Sequence, residues 1–401
     1  MKKTIRENKL LLQFMLFSVL GGMGMGVAQM AITLYAVALG ATASQIGLIG
    51  GVQGIGLLLT VLPIGFLVDY IGPRKVFVFG VLVSAFIYLL FPFAHSSNAL
   101  LCFVALIGFF TSFRFIPMTS AFLEFVRQVG SKKAGWQRGS LSFGLVFLGP
   151  LCGASISKYW GFSITFYVVS ASVFLLIFGA SAFFPDSKRS GAVTIAESFA
   201  NVKEFFRDRN ILEASSAEAL ALATFSCFNA FIVVIAIRIF HFTTQLSSLF
   251  VSFEGVIFIA TLFTLGRVLE KLGQRYFYLT AIAIVITGLI LISCIWHPAF
   301  LVAGTLLIGI GLGMFNLVNV TRLANANAEK GKTAAVFSMF TMLGAIIGPV
   351  IGGIAGELFG TYAVFLIFIP LYMAFALKIH FGKSTDASIE VSVSPVEKFA
   401  Q

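Results

Sequence analysis

Two charges interrupt runs that are otherwise apolar. Arg114 stands in GFFTSFRFIPM and Glu254 in VSFEGVIF. An arginine in hydrocarbon costs about 2.5–3.5 kcal/mol on insertion scales, so Arg114 should face a cavity or a partner. Burial disfavours the charged form of a carboxylate, so an acid at the depth of Glu254 suits a proton that is taken up and later released when water reaches it. A neighbouring hydroxyl, or Arg114 itself, could instead satisfy that acid. Glu213 and Glu218 lie closer to the polar end of their run and are the alternative proton carriers, whereas Glu124 and Arg127 read as gate or surface charges. Gln29, Asn229, Asn316 and Asn319 are uncharged polar side chains inside apolar runs and are candidates for a binding cavity. No His/Glu or Ser/His constellation forms and no nucleotide-binding loop appears, so catalytic residues, cofactors and an enzymatic activity are not expected. Cys102, Cys152, Cys227 and Cys294 are far apart in apolar runs. They are expected as buried small hydrophobes, without disulfides or a metal.

The elements that must position these residues are membrane helices. Hydrophobic residues make up 59% of the 401 positions and charged residues 11%, with mean hydropathy +1.00. A soluble domain carries about a quarter charged residues. Runs long enough to cross about 30 Å of hydrocarbon recur between short polar turns. Twelve are predicted, at 10–38, 45–68, 74–93, 98–122, 139–160, 162–184, 211–239, 245–268, 276–296, 299–321, 333–357 and 361–380. The basic start followed by an apolar run is too long for a secretory leader and is read as the first span. With the N-terminus inside, all 27 Lys and Arg except Lys158, Arg238 and Arg114 fall at cytoplasmic ends and turns. That bias places both termini in the cytoplasm. The net charge of +11 therefore reports topology, and nucleic acid is excluded as a partner.

The chain also repeats itself. VQGIGLLLTVLPIG (52–65) aligns with FEGVIFIATLFTLG (253–266) at an offset of 201, and GPLCGASISKYWG (149–161) with GPVIGGIAGELFG (348–360) at 199. Residues 1–184 and 211–380 are thus two six-helix bundles. Residues 185–210 form a cytoplasmic linker, in which Ile195, Phe199, Val202 and Phe206 suggest an amphipathic surface helix. Residues 381–401 are a cytoplasmic tail.

The turn GFLVDYIGPRK, with Gly65, Leu67, Asp69, Gly72, Arg74 and Lys75, resembles the loop between the second and third helices of the major facilitator superfamily, and the resemblance extends from about residue 10 to 380. Tyr70 and Pro73 stand where that family often has further bases. A second copy carries Glu270, Gly273 and Arg275. Gly65 is expected to let helices pack closely and Gly72 to permit a sharp reversal. Asp69 is expected to latch the inner mouth by accepting from the positive end of a helix in the other half, near Lys332. GSLSFGLVFLGPLCGA resembles the fifth-helix motif of the family's exporters, through Gly139, Gly144, Gly149, Pro150 and Gly153. The second half carries Gly348, Pro349, Gly352 and Gly353. Small residues and a proline at these places are expected to pack and hinge the halves. Arg114 resembles the family's fourth-helix arginine, with Pro117 and Met118 where a polar residue and glycine usually follow.

The resemblance implies an all-α fold of twelve helices in two pseudo-symmetric bundles, close to the drug/proton antiporter-like group. It implies a monomer in the bacterial inner membrane that exchanges a small, apolar or amphipathic molecule for protons, in contact only with lipid. The alternative is uptake of a small anionic metabolite or siderophore-like metal chelate, with Arg114 holding a carboxylate.

Overall fold

A computed structural model of the chain describes residues 2–129, 139–184, 209–294, 297–324 and 330–381; within these, the side chains of residues 2–11, 62, 69, 120–129, 180–183, 209–210, 267, 270, 323–324 and 330–335 are not described. The predicted amphipathic helix of the linker and all but the first residue of the predicted tail lie outside these residues. Among the described residues the structure is all helical. Lipid offers no hydrogen bonds, so a spanning chain must satisfy its backbone within each helix.

Helices α1 (Lys2–Ala38), α2 (Ala43–Ile71), α3 (Pro73–Leu90) and α4 (Ser97–Val129) open the first half. The stretch Gly139–Gly179 is 41 residues of continuous apolar helix, too long for one crossing. Gly161, at φ 81° and ψ 170°, breaks it into α5 (139–160) and α6 (162–183). The second half comprises α7 (Arg209–Arg238), α8 (Thr244–Thr264), α9 (274–293), α10 (Pro298–Ala324), α11 (Lys330–Phe359) and α12 (363–381), with Gly273 (φ 75°) turning the chain into α9. Twelve crossings result among the described residues.

The duplication is written into the backbone. Among the described residues, positive φ occurs at Gly40, Gly72, Gly161, His241, Gly273 and Gly360. These pair across the halves as Gly40 with His241, Gly72 with Gly273 and Gly161 with Gly360, at offsets of 201, 201 and 199. Glycine reaches this conformation without Cβ strain, which is why the polar turns carry it. Thr42 and Thr243, also 201 apart, both cap the helix that follows. The end of the bundle carrying Gly72, Arg74, Lys75, Gly273 and Arg275 is here termed the basic end.

The halves meet where α2 packs on α11 and α5 on α8. These contacts concentrate away from the basic end. A methyl group added at Gly47 would strike the Pro349 carbonyl and Gly353, and one at Gly255 would strike Val146. Ser252 Oγ donates to the Phe147 carbonyl at 3.2 Å across the second interface. Toward the basic end, by contrast, Gly65, Gly139 and Gly266 have open space where a side chain would be. Along the same face of α11, exposure rises from buried Gly353 through 9% at Ile346 to 41% at Met339. Among the described residues, the halves are in contact at one end and stand apart toward the basic end. The close packing expected of Gly65 therefore falls to Gly47 and Gly353, because the part of α2 that carries Gly65 stands clear of its partner.

One expectation of burial does not hold. Only Cys227 is buried; Cys102 is exposed on α4 and the other two are intermediate. Thiols are tolerated against lipid as small apolar groups.

Candidate functional site

Between the halves lies a cavity with about 570 Å³ of empty space, its open mouth included. It is lined by Gln29 and Thr33 of α1, Leu145, Val146 and Pro150 of α5, Asn229 and Phe225 of α7, and Val251 of α8, among others. Small-molecule sites combine apolar walls with a few placed polar groups, as this lining does. Among the described residues, no charged side chain is in the lining. Gln29 and Asn229 are 200 residues apart, so the two carboxamides occupy matching places on α1 and α7. Asn229 donates to the Phe225 carbonyl at 3.0 Å, leaving its own oxygen as an acceptor.

Arg114 does not reach this cavity. It is buried at 8% exposure, with its guanidinium against the Tyr88 phenol of α3 and its Nε lacking a partner. In α4 a side chain points back toward the N-terminal end, and in α3 the corresponding direction is opposite, so the two long side chains meet in the middle of the half. Glu254 is fully buried, and neither carboxylate oxygen has a hydrogen-bond partner. It sits one turn from the cavity residue Val251, where Gly309 of α10 lets the helices approach closely. Arg114 and Glu254 do not pair; each belongs to a different half.

The remaining candidates gather elsewhere. Asn316 and Asn319 of α10 donate to the two oxygens of Glu218 at 2.6 Å each. Asn319 in turn accepts from the Tyr278 hydroxyl of α9. Arg322 lies 5.7 Å from the Tyr278 ring centre and 3.3 Å from Glu213, and Lys378 of α12 lies 3.4 Å from Glu213. Asn316 and Asn319, expected in the cavity, are thus committed to a network within the second half near the basic end. They sit there because α7, α9, α10 and α12 all converge at that level, and a buried carboxylate is costly unless it is hydrogen-bonded or protonated. Tyr278, Arg322 and Lys378 were not singled out by sequence; Arg322 and Lys378 sit among the ordinary basic residues of helix ends.

The turn residues divide similarly. Gly72 and Gly273 make the reversals. The side chains of Asp69 and Glu270, and those of Glu124 and Arg127, lie outside the described residues. Arg275, expected with Glu270 as a latch, donates to the His380 carbonyl at 2.5 Å, tying α9 to α12 inside one half. Most of the motif glycines are helix contacts within a half, whereas Gly353 faces Gly47 across the interface. Gly144 and Gly149 lie against Val19 and Gly26 of α1, and Gly348 lies against Ala223 of α7. Gly153 packs on Val27 of α1 and Gly352 on Cys227 of α7. Pro349 instead faces Gly47 and Gly50 across the interface, and Pro150 lines the cavity just past a π-helical turn, Phe143–Leu148.

A family model described as Major Facilitator Superfamily matches residues 14–252 and 214–391. The chain belongs to the Major Facilitator Superfamily. Two multidrug resistance proteins MdtG are similar over most of its length. That of Klebsiella pneumoniae (strain 342) is 25% identical over 319 residues, covering 76% of this chain and 75% of the relative. That of Enterobacter lignolyticus (strain SCF1) is 27% identical over 324 residues, covering 76% and 74%. The nucleoside transporter NupG has the same fold, with a TM-score of 0.78 at 16% identity, covering 94% of this chain and 100% of that one. As a superfamily member the chain is a multi-pass membrane transporter, and the central cavity occupies the interface between its halves.

Proposed function

We propose that this transporter exports a small, uncharged, apolar or amphipathic compound by alternating access, in exchange for protons. The observation that carries the reading is the central cavity. Both halves contribute a carboxamide to it, the remaining walls are apolar, and among the described residues no charge stands in the lining. A ligand held between both halves is released when they rock apart, which is what alternating access requires. Two relatives named multidrug resistance proteins support export. The anionic-uptake alternative loses its anchor, because Arg114 is turned toward Tyr88.

Glu254 supports proton coupling. A fully buried carboxylate with no hydrogen-bond partner among the described residues is unfavourable as an anion, so it is suited to bind a proton in one conformation and release it in another. Glu218, held by two amides, is built instead to stay in place. The excess of bases at one end supports a cytoplasmic position for that end, with both termini inside, in the bacterial inner membrane. Asp69 then belongs to the cytoplasmic gate, and the open end of the described state faces the cytoplasm.

The test is accumulation in cells. Strains lacking the protein should retain more of its compound, and strains overproducing it less, when neutral amphipathic antibiotics and dyes are screened by mass spectrometry. Loss of a compound from the deletion strain would instead identify uptake and overturn the reading.

A further inference from the structure

At the end opposite the basic turns, two contacts join the halves through residues that the central site does not use. Glu357, near the end of α11, accepts from the Thr42 hydroxyl at 2.9 Å and from the Ser44 backbone N–H at 2.9 Å. Thr42 is the N-cap of α2, and its oxygen also accepts from the Gln45 N–H at 3.3 Å. The carboxylate thus completes the cap of a helix belonging to the other half, at the end where the helix dipole favours a negative charge. Beside it, Arg238 at the end of α7 donates to the Ala41 carbonyl at 2.9 Å, in the turn formed by Gly40. Both contacts close on one short segment, residues 41–44.

The sequence singles out Arg238 and Lys158 as the two bases away from the cytoplasmic turns, and they differ in use. Lys158 is the repeat mate of Glu357, at an offset of 199. On α5 it would present a cation to the N-terminus of α8, which repels it, and its ammonium lies over the Tyr159 ring at 5.7 Å. The second interface thus lacks the acid that caps the first. The closing device is confined to the start of α2, where α11 and α7 meet it, although the helices at both interfaces are related by the same duplication.

We infer that Glu357 and Arg238 form a gate clasp that holds the halves together at the end opposite the basic turns and must release before the cavity can open to that side. Glu357 lies at the end of the bundle where Gly47 and Gly353 already bring α2 and α11 into backbone contact. The clasp therefore locks a geometry that packing has prepared. It acts on the conformational equilibrium, so its two residues are positioning residues for transport. This rests on alternating access for its meaning, but its test requires neither substrate nor proton gradient.

The experiment measures distances between spin labels on cysteines introduced at His95 and His297, exposed turns of the two halves at the clasp end. It uses the full chain in lipid nanodiscs, with the native cysteines replaced by alanine. Glu357→Gln and Arg238→Gln should each raise the ratio of long to short distances by about threefold to tenfold, the range for losing charge-assisted bonds that are partly solvated. The double variant should shift further, and thermal unfolding should be nearly unchanged because both side chains lie at the surface. Should the double variant fail to assemble, each single variant leaves the other contact intact and decides the matter. Distance distributions unchanged from the parent in both single variants, or shifted toward the short distance, would overturn the inference, whatever the transport assays say.

Discussion

Removing the Glu218 carboxylate tests how the second half is held together. Asn316 and Asn319 each donate to it at 2.6 Å, and Asn319 is fully buried. A hydrogen bond to a charged group contributes about 1.5–3 kcal/mol net, and leaving a buried donor unsatisfied costs about 1–3 kcal/mol. Glu218→Ala strands two amide donors at once, so a destabilisation of about 3–5 kcal/mol is expected. A double-mutant cycle isolates the single bond to Asn319. Glu218→Ala, Asn319→Ala and the double variant should give a coupling energy of about 1.5–3 kcal/mol in reversible unfolding from mixed micelles. Neutral side-chain bonds between membrane helices average about 0.6 kcal/mol, so the value discriminates. A coupling at or below that average would refute the charged, doubly held carboxylate and reduce the network to ordinary polar contacts.

Three further outcomes follow from the arrangement. Arg114→Ala should destabilise the fold by about 1–3 kcal/mol, because it leaves the buried Tyr88 phenol without its partner; unfolding unchanged from wild type would contradict the contact. Gly47→Val should block closure of α2 on α11, since any Cβ there meets the Pro349 carbonyl; spin-label distances across the clasp end should lengthen and transport fall at least tenfold, and unchanged distances would contradict the packing. Asp69→Asn should cut transport sharply at near-normal expression, with labels at the basic ends of the two halves shifted toward greater separation; unchanged distances together with unchanged transport would remove Asp69 from the gate.

Much of this architecture was legible in the sequence because bilayer thickness and backbone satisfaction leave few options. The apolar runs predicted twelve crossings, and the repeat predicted turns that reappear as matched positive-φ residues, although His241 takes its place opposite Gly40 without a glycine to announce it. Gln29 and Asn229, picked as polar residues in apolar runs, do line the cavity. Partner choice was less legible. Nothing in the spacing of Arg114 points to Tyr88, and Asn316 and Asn319 have the same look whether they face a cavity or a buried acid. These pairings depend on which faces of non-adjacent helices meet. Gly65 failed as a packing residue for a different reason: its contact depends on conformation, and the basic end stands open. Glu357 carried a signal that could have been read, as the acid at the position where the other half has Lys158.

The central claim is proton-driven transport through the cavity with Glu254 as the proton carrier. The decisive measurement takes a compound found by the accumulation screen and follows it in proteoliposomes, with wild type and Glu254→Gln compared with and without an imposed pH difference. The amide keeps shape and hydrogen bonding but cannot release a proton. The account predicts that Glu254→Gln still binds the compound and exchanges it down its own gradient, while losing all accumulation driven by the pH difference. Accumulation by the variant equal to wild type would contradict the claim and send the search for the proton site to Glu213 and Glu218.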